Sequence, residues 1–182
     1  MADKRLEGKK IAFVIAPEQF RDEELFTPRA RVEEEGAAAV VASTSKGTAS
    51  GMLGGSCQVE TLINELEPAQ FDAVVVVGGM GSPEHLWDNE ELHHLLKALD
   101  KDGKIIASIC LSGGALARAG VLKGKEATVW ECEDSLEALK KGEARYVKKP
   151  VVKDGRVITA NGPEAAEEFA STVIAELAKV TV

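Results

Sequence analysis

The sequence predicts an α/β fold, in which a mostly parallel sheet lies between helices on both faces, as in a flavodoxin-like sandwich. Short apolar runs alternate with helical patterns of 10–15 residues, and such units form right-handed crossovers in parallel sheets. Residues 71–77 form the clearest run, and its nearly continuous apolar character is typical of a strand covered on both faces. We assign one domain to residues 1–182, with a core over about 9–180.

The predicted strands are short apolar runs bounded by turn residues. In chain order they cover residues 10–16, 38–42, 71–77, 104–109 and 127–130. Residues 48–59 are rich in glycine and small side chains, so we expect a hairpin or an excursion from the sheet. Residues 146–159 are expected to form two short strands, because Asp154-Gly155 is typical of a hairpin turn.

The predicted helices separate these strands. In chain order they cover residues 22–35, 89–102, a short segment that ends at Gly120, 134–141 and 163–179. Gly36 and Gly103 end the first two, since glycine commonly terminates helices. Asp88 or Asn89 caps the second helix, and Pro163 occupies the first position of the last.

The composition is that of an ordinary globular protein, with 45% hydrophobic and 29% charged residues. The net charge is −8 and no basic run occurs, which argues against nucleic acid or an anionic membrane as partner. No apolar stretch is long enough to span a bilayer, and the N-terminus has no signal-peptide pattern, so we expect a cytoplasmic protein. The three cysteines and three histidines lack paired ligand spacing, so we expect neither a metal nor a cofactor.

Ligands of parallel α/β sheets bind at the carboxyl ends of the strands, and the most informative such end is Cys110. A buried strand ends there and a helix follows at once, with Ser108 and Ser112 two residues to either side. This is the pattern of a nucleophile elbow with cysteine in place of serine. We expect the helix N-terminus to lower the pKa of the thiol. The alternative is a buried cysteine with only a packing role.

Two further strand ends carry candidate groups. Asp22, Glu23 and Glu24 occupy the first turn of the first helix, where they could act chemically. The alternative is that Asp22 caps the helix while the two glutamates complement its dipole. Gly78 and Gly79 follow the strongest strand, and their backbone N–H groups could act as oxyanion donors.

These segments together resemble the DJ-1/PfpI superfamily, whose fold is that of class I glutamine amidotransferases. Four ordered stretches carry the resemblance, namely residues 11–28, 71–79, 107–124 and 152–169. The resemblance implies that Cys110 is the reactive cysteine and that Glu24 contacts its sulfur. It also implies that Gly79 and the backbone N–H of Leu111 are the oxyanion-type donors.

The chain departs from the family where histidine would be expected. Peptidase-like members carry histidine directly after the cysteine, where Leu111 stands, and other members supply one near Trp130. We assign His93 and His94 to the surface of a helix. His85 follows the glycine loop and is a candidate to line the site.

The resemblance leaves two classes of function open. The first is a cysteine-dependent enzyme of the glyoxalase or deglycase type, in which Cys110 attacks a small reactive carbonyl and Glu24 moves protons. A peptidase or amidase is a variant of this class, weakened by Leu111. The second is an oxidative-stress sensor or protective protein that uses oxidation of Cys110. Cys132 could then be a resolving thiol.

The expected partner is a small electrophile or a modified protein. By resemblance we also expect a homodimer or a larger homo-oligomer. Residues 22–35 and 48–57 are the plausible contact surfaces.

Overall fold

The computed structural model describes residues 3–180. Its strands are β1 (Lys10–Val14), β2 (Glu18–Phe20), β3 (Ala38–Ser43), β4 (Gly47–Gly51), β5 (Ser56–Val59), β6 (Thr61–Leu62), β7 (Ala73–Val76), β8 (Ile105–Ile109), β9 (Glu126–Ala127), β10 (Arg145–Tyr146), β11 (Val151–Asp154) and β12 (Val157–Ala160). Its helices are α1 (Asp22–Glu34), α2 (Ser82–His85), α3 (Glu90–Lys101), α4 (Gly113–Ala119), α5 (Glu133–Lys141) and α6 (Ala166–Lys179).

A seven-stranded sheet forms the centre, in the order β11-β12-β8-β7-β1-β3-β6. Its pairings are parallel except that of β11 with β12, so the predicted mostly parallel sheet is confirmed. Every residue of β7 and β8 is buried, because helices cover both faces. Helices α1 and α6 pack together on one face, while α3, α4 and α5 lie on the other.

Most predicted boundaries agree with the structure to within a residue or two. The Asn89 side chain accepts a hydrogen bond from the Leu92 backbone N–H at 2.8 Å, which confirms Asn89 as the cap of α3. Strands β4 and β5 pair in an antiparallel hairpin, as residues 48–59 suggested. Strands β11 and β12 likewise form the hairpin predicted around Asp154-Gly155.

The prediction of a strand over 127–130 is wrong. Only Glu126 and Ala127 form β9, which pairs with β10 outside the main sheet. The chain then leaves the ladder, because Thr128 N–H donates to the Thr159 hydroxyl and Trp130 N–H donates to the Cys110 carbonyl. This course brings Trp130 to the elbow at the end of β8.

Other departures are smaller. Pro163 begins a short 3-10 turn, and α6 starts only at Ala166. Strands β2 and β6 have three and two residues, too few for a hydrophobic pattern to predict. No helix within residues 3–180 has the length and apolar character needed to cross a membrane.

Candidate active site

Cys110 lies in a tight turn between β8 and α4. Its φ of 63° is in the left-handed region, which residues with a side chain rarely adopt. A 3-10 turn over Cys110–Ser112 leads directly into α4. The start of α4 is closely packed, because a Cβ at Gly114 would lie 2.3 Å from the Trp87 ring. The structure therefore has the strained geometry of a nucleophile elbow.

Glu24 lies beside Cys110, although α1 and β8 are far apart in the sequence. A Cβ placed on Gly78 would come within 2.6 Å of both the Cys110 Cβ and the Glu24 Oε1. Glycine at position 78 therefore lets the Cys110 and Glu24 side chains both pack against the backbone of this residue. The Glu24 side chain is completely buried.

Burial determines the protonation of Glu24. It raises the pKa of this carboxyl from 4.5 to about 8, while the nearby Cys110 thiol and the Arg21 guanidinium lower it by less. No group among residues 3–180 makes a full hydrogen bond to either carboxyl oxygen. Glu24 is therefore largely protonated at neutral pH.

The pKa of the Cys110 thiol is raised, whereas the sequence predicted that the helix N-terminus would lower it. Burial raises its pKa, and negative charge on Glu24 raises it further. The backbone N–H groups of Leu111 and Gly79 lower the pKa, but their effect is smaller. The elbow alone thus does not give a free thiolate, because desolvation outweighs the backbone donors. The thiol and the carboxyl form one coupled pair.

The loop after β1 fixes the glycine loop that carries Gly79. Arg21 N–H donates to the Gly78 carbonyl at 3.0 Å, and Gly81 N–H donates to the Gln19 carbonyl at 3.1 Å. Gly79 has a φ of 111°, and a Cβ there would lie 2.4 Å from the Gln19 carbonyl oxygen. The two loops are therefore packed backbone against backbone beside the sulfur.

A cleft of about 800 Å³ opens above Cys110. Two ion pairs line it, each with a shortest separation of 2.8 Å, one between Arg21 and Glu23 and one between Lys148 and Glu131. The remaining lining residues are Met52, Gly79, Met80, Leu111, Val129, Trp130, Tyr146, Asn161, Gly162, Pro163 and Glu164. The cleft is larger than a three-carbon carbonyl compound requires, so it has room for a substrate attached to a larger molecule.

The structure places some of the other predicted site residues away from this cleft. Trp130 lines it and is half exposed. His85 instead lies 3.3 Å from Glu18, and no histidine lines the cleft within the described part of the chain. Cys132 precedes α5 with its Sγ 3.3 Å from the Ser135 hydroxyl, and it also lies outside the lining. His94 is exposed, whereas His93 is half-buried and bonds to the Trp87 carbonyl.

His85 belongs to a separate surface group. One ligand atom from each of Glu18, Glu84 and His85 lies within 4.8 Å of the others, the one such group in the described residues. Their spacing in the sequence does not suggest this grouping, and both glutamates are exposed. We assign it no function.

Asp22 does not cap α1, so the alternative that it serves as the helix cap is wrong. Its carboxylate accepts hydrogen bonds from the backbone N–H groups of Leu53 and Gly55, both at 2.8 Å. Glu23 pairs with Arg21, whose hydrogen bonds lower the pKa of that carboxyl. The three consecutive acids thus have three different roles, and only Glu24 reaches the sulfur.

Sequence reasoning missed part of the cleft. Asn161 was not missed, because it follows β12 in residues 160–163, one of the strand ends at which the sequence predicts the chemistry. Tyr146 and Lys148 come from β10 and the segment after it, outside the main sheet. No pattern in the sequence indicates that they face Cys110.

The chain is similar to several known proteins. The sequence profile of the DJ-1/PfpI family matches residues 9–176. An uncharacterized protein of Methanocaldococcus jannaschii is 45% identical over 174 residues, which cover 96% of this chain and 85% of that protein. A protein of Pyrococcus furiosus named deglycase PfpI is 35% identical over 156 residues, 85% of this chain and 90% of its own.

Solved structures show the same fold. A ThiJ/PfpI domain protein from Brachyspira murdochii superposes with a TM-score of 0.90 at 34% identity, covering 96% of this chain and all of that one. Drosophila melanogaster DJ-1beta gives a TM-score of 0.80 at 29% identity, covering 94% and 92% of the two chains.

Proposed function

Because this chain belongs to the DJ-1/PfpI family, as its sequence predicted, we propose that it is a cysteine-dependent enzyme acting on small reactive carbonyl compounds. The reaction would be of the glyoxalase or deglycase type. The observation that carries the proposal is a strained cysteine elbow at the base of an open cleft, with the buried Glu24 carboxyl beside it. Relatives named deglycase indicate enzymatic activity within the family.

The proposed reaction begins with attack of the Cys110 sulfur on the aldehyde carbon. The carbonyl oxygen then gains negative charge, which the backbone N–H groups of Gly79 and Leu111 can stabilise. Glu24 donates the shared proton to this oxygen, which gives a hemithioacetal and leaves Glu24 as a carboxylate. With a 2-oxoaldehyde, this carboxylate takes the proton from the former aldehyde carbon and returns it to the neighbouring carbon, while the hydroxyl proton moves to the neighbouring oxygen. Water hydrolyses the resulting thioester to a 2-hydroxy acid and regenerates the thiol.

This chemistry requires that Cys110 and Glu24 hold one proton between them. Two backbone N–H groups favour charge on the sulfur, while the Glu24 carboxyl is buried without a full hydrogen bond among residues 3–180. The raised pKa of the Cys110 thiol, about 12, lies above the pKa of about 8 of the Glu24 carboxyl, so the resting pair with one proton keeps it on the sulfur. The proposed reactive state is the minor arrangement, with the proton on Glu24 and the charge on Cys110. Two adjacent anions are avoided, which the raised pKa values of both groups also favour.

Peptide hydrolysis is a weaker candidate. A leaving amine must be protonated, and Leu111 has no proton to give. A free 2-oxoaldehyde such as methylglyoxal has no amine to expel, so the Cys110–Glu24 pair suffices for it.

Oxidation sensing is the second candidate, favoured by the same buried carboxyl. A protonated Glu24 without a hydrogen-bond acceptor in the described structure could donate to a sulfinate on Cys110. In this case Cys110 would be oxidised selectively, and carbonyl turnover would be absent.

We further propose self-association through α1 and the β4–β5 hairpin. Phe26 of α1 and Met52 and Leu53 of the hairpin loop are exposed apolar residues, as is the adjacent Met80. Apolar side chains exposed together favour an interface. Sedimentation equilibrium of wild type and Leu53→Glu would test it, since an unchanged mass would exclude this surface.

The proposed activity can be tested with three substrates in parallel: methylglyoxal, a methylglyoxal-glycated amino acid and a peptide. We expect turnover of at least one carbonyl substrate, its loss in Cys110→Ser and Glu24→Gln, and negligible peptide cleavage. Glu23→Gln is the matched control, because Glu23 is adjacent in sequence but pairs with Arg21 at the rim. Equal turnover by wild type and Cys110→Ser would exclude the mechanism.

A further inference from the structure

The elbow and the glycine loop are joined by a buried pair of serine hydroxyls. The Ser112 hydroxyl donates to the Val77 carbonyl at 2.5 Å, and the Ser82 and Ser112 hydroxyl oxygens are 2.7 Å apart. Because Ser112 uses its proton on Val77, Ser82 must be the donor in the second bond. Both serine side chains are completely buried.

These bonds lie where the sheet no longer holds the two segments together. The backbone pairing of β7 with β8 ends at Val76 and Ser108. Beyond it, the chain continues to Gly79 on one side and to Leu111 on the other. Those two residues supply the backbone N–H groups that stabilise charge on the Cys110 sulfur. Ser112 directly follows one donor, and Val77 is two residues before the other.

We propose that Ser112, supported by Ser82, is a positioning residue that sets the separation of the Gly79 and Leu111 donors around Cys110. Neither serine touches the reacting atoms, so both act through the backbone. A role in packing alone would need only a small side chain, and alanine would serve. Burying two hydroxyls is instead favourable only when their hydrogen bonds are made. The predicted effect of Ser112 on turnover rests on the proposed function, whereas its predicted effect on the pKa of the Cys110 thiol does not.

The test is the pH profile of Cys110 alkylation, which requires no substrate. Ser112→Ala removes both bonds at the elbow, and misaligned donors stabilise the thiolate less. We expect the apparent thiol pKa to rise by about one unit, which lowers the alkylation rate near neutral pH roughly tenfold. Ser82→Ala removes only the supporting donor, so we expect a smaller shift in the same direction. It also provides the test if Ser112→Ala does not fold.

The matched control is Ser43→Ala. The Ser43 hydroxyl is also completely buried and donates to a strand-end carbonyl, that of Ile15, at 2.7 Å. Its loss should lower stability to a comparable degree and leave the thiol profile as in wild type. If neither elbow variant changes the profile, or if Ser43→Ala changes it equally, the positioning role is excluded.

Carbonyl turnover separates this inference from the proposed function. For an active enzyme, Ser112→Ala should lower kcat about tenfold or more with KM nearly unchanged, because the donors act on charge that develops during reaction. A proportional rise in KM at constant kcat would contradict the role. If wild type has no turnover while Ser112→Ala still shifts the thiol profile, the positioning role stands and the proposed function fails.

Discussion

Replacing Glu24 by glutamine should change how stability depends on pH. In the unfolded chain Glu24 releases its proton near pH 4.5, whereas in the folded protein its pKa is about 8. Between these values the folded state binds more protons than the unfolded state, so stability falls as the pH rises. Each pKa unit is worth about 1.4 kcal/mol, so the total loss is on the order of 5 kcal/mol. The contribution of the Glu24 carboxyl to the free energy of unfolding is fully present below pH 4.5 and is lost by about pH 8.

The assay is urea unfolding of wild type and Glu24→Gln at intervals from pH 5 to pH 9. Glutamine keeps the shape and a hydrogen-bond donor but does not ionise, so the difference between the two proteins gives the titration of Glu24 together with its coupling to Cys110. The free energy of unfolding of wild type should fall relative to the variant by about 1.4 kcal/mol per pH unit at most. Glu23→Gln is the control, since Arg21 lowers the pKa of Glu23 and its stabilisation is instead lost toward acid pH. Parallel curves for wild type and Glu24→Gln would refute the assignment of a buried, protonated carboxyl.

Three further predictions follow from the same geometry. Gly78→Ala places a Cβ within 2.6 Å of Cys110 and Glu24, so it should cost about 1–3 kcal/mol in urea unfolding and slow Cys110 alkylation; wild-type behaviour would contradict the contact. Arg21→Gln removes a positive charge that lowers the pKa of Glu24, so the pH-dependent loss of stability should move to higher pH, and a shift to lower pH would be inconsistent with it. Leu111→His should leave thiol alkylation undiminished and can add only weak amidase activity, whereas robust wild-type peptide cleavage would show that another proton donor serves the site.

The fold was predictable because its determinants are local. The buried strands are short and largely apolar runs, and some helix ends have a side-chain cap or a glycine, as at Asn89 and at Gly120, where φ is 86°. The segment 127–130 has the composition of a strand, but the backbone N–H groups of Thr128 and Trp130 donate to Thr159 and Cys110 instead of to a strand partner. Such pairing depends on tertiary contacts that a single segment does not encode.

The site was only partly predictable. The small residues around Cys110 indicate the elbow, and the close approach of Trp87 to Gly114 shows why glycine occupies the start of the following helix. The balance of forces on the thiol could not be inferred, because it depends on how deeply Cys110 and Glu24 are buried together. The opposite wall of the cleft, with Tyr146 and Lys148, comes from a short excursion whose direction no pattern specifies.

The most direct test of the Cys110–Glu24 pair is limiting alkylation with iodoacetamide, followed by peptide mass mapping of all three cysteines. Burial raises the pKa of the resting Cys110 thiol, but Cys110 lines the cleft, and the proposed state with the proton on Glu24 leaves a thiolate that the Gly79 and Leu111 donors stabilise. Cys110 should therefore be labelled before Cys57 and Cys132. Glu24→Gln retains a donor and should preserve this order, whereas Glu24→Asp withdraws the carboxyl from the sulfur and should slow labelling of Cys110. Preferential labelling of Cys57 or Cys132 in wild type, or identical Cys110 rates in wild type and both Glu24 variants, would contradict a reactive pair.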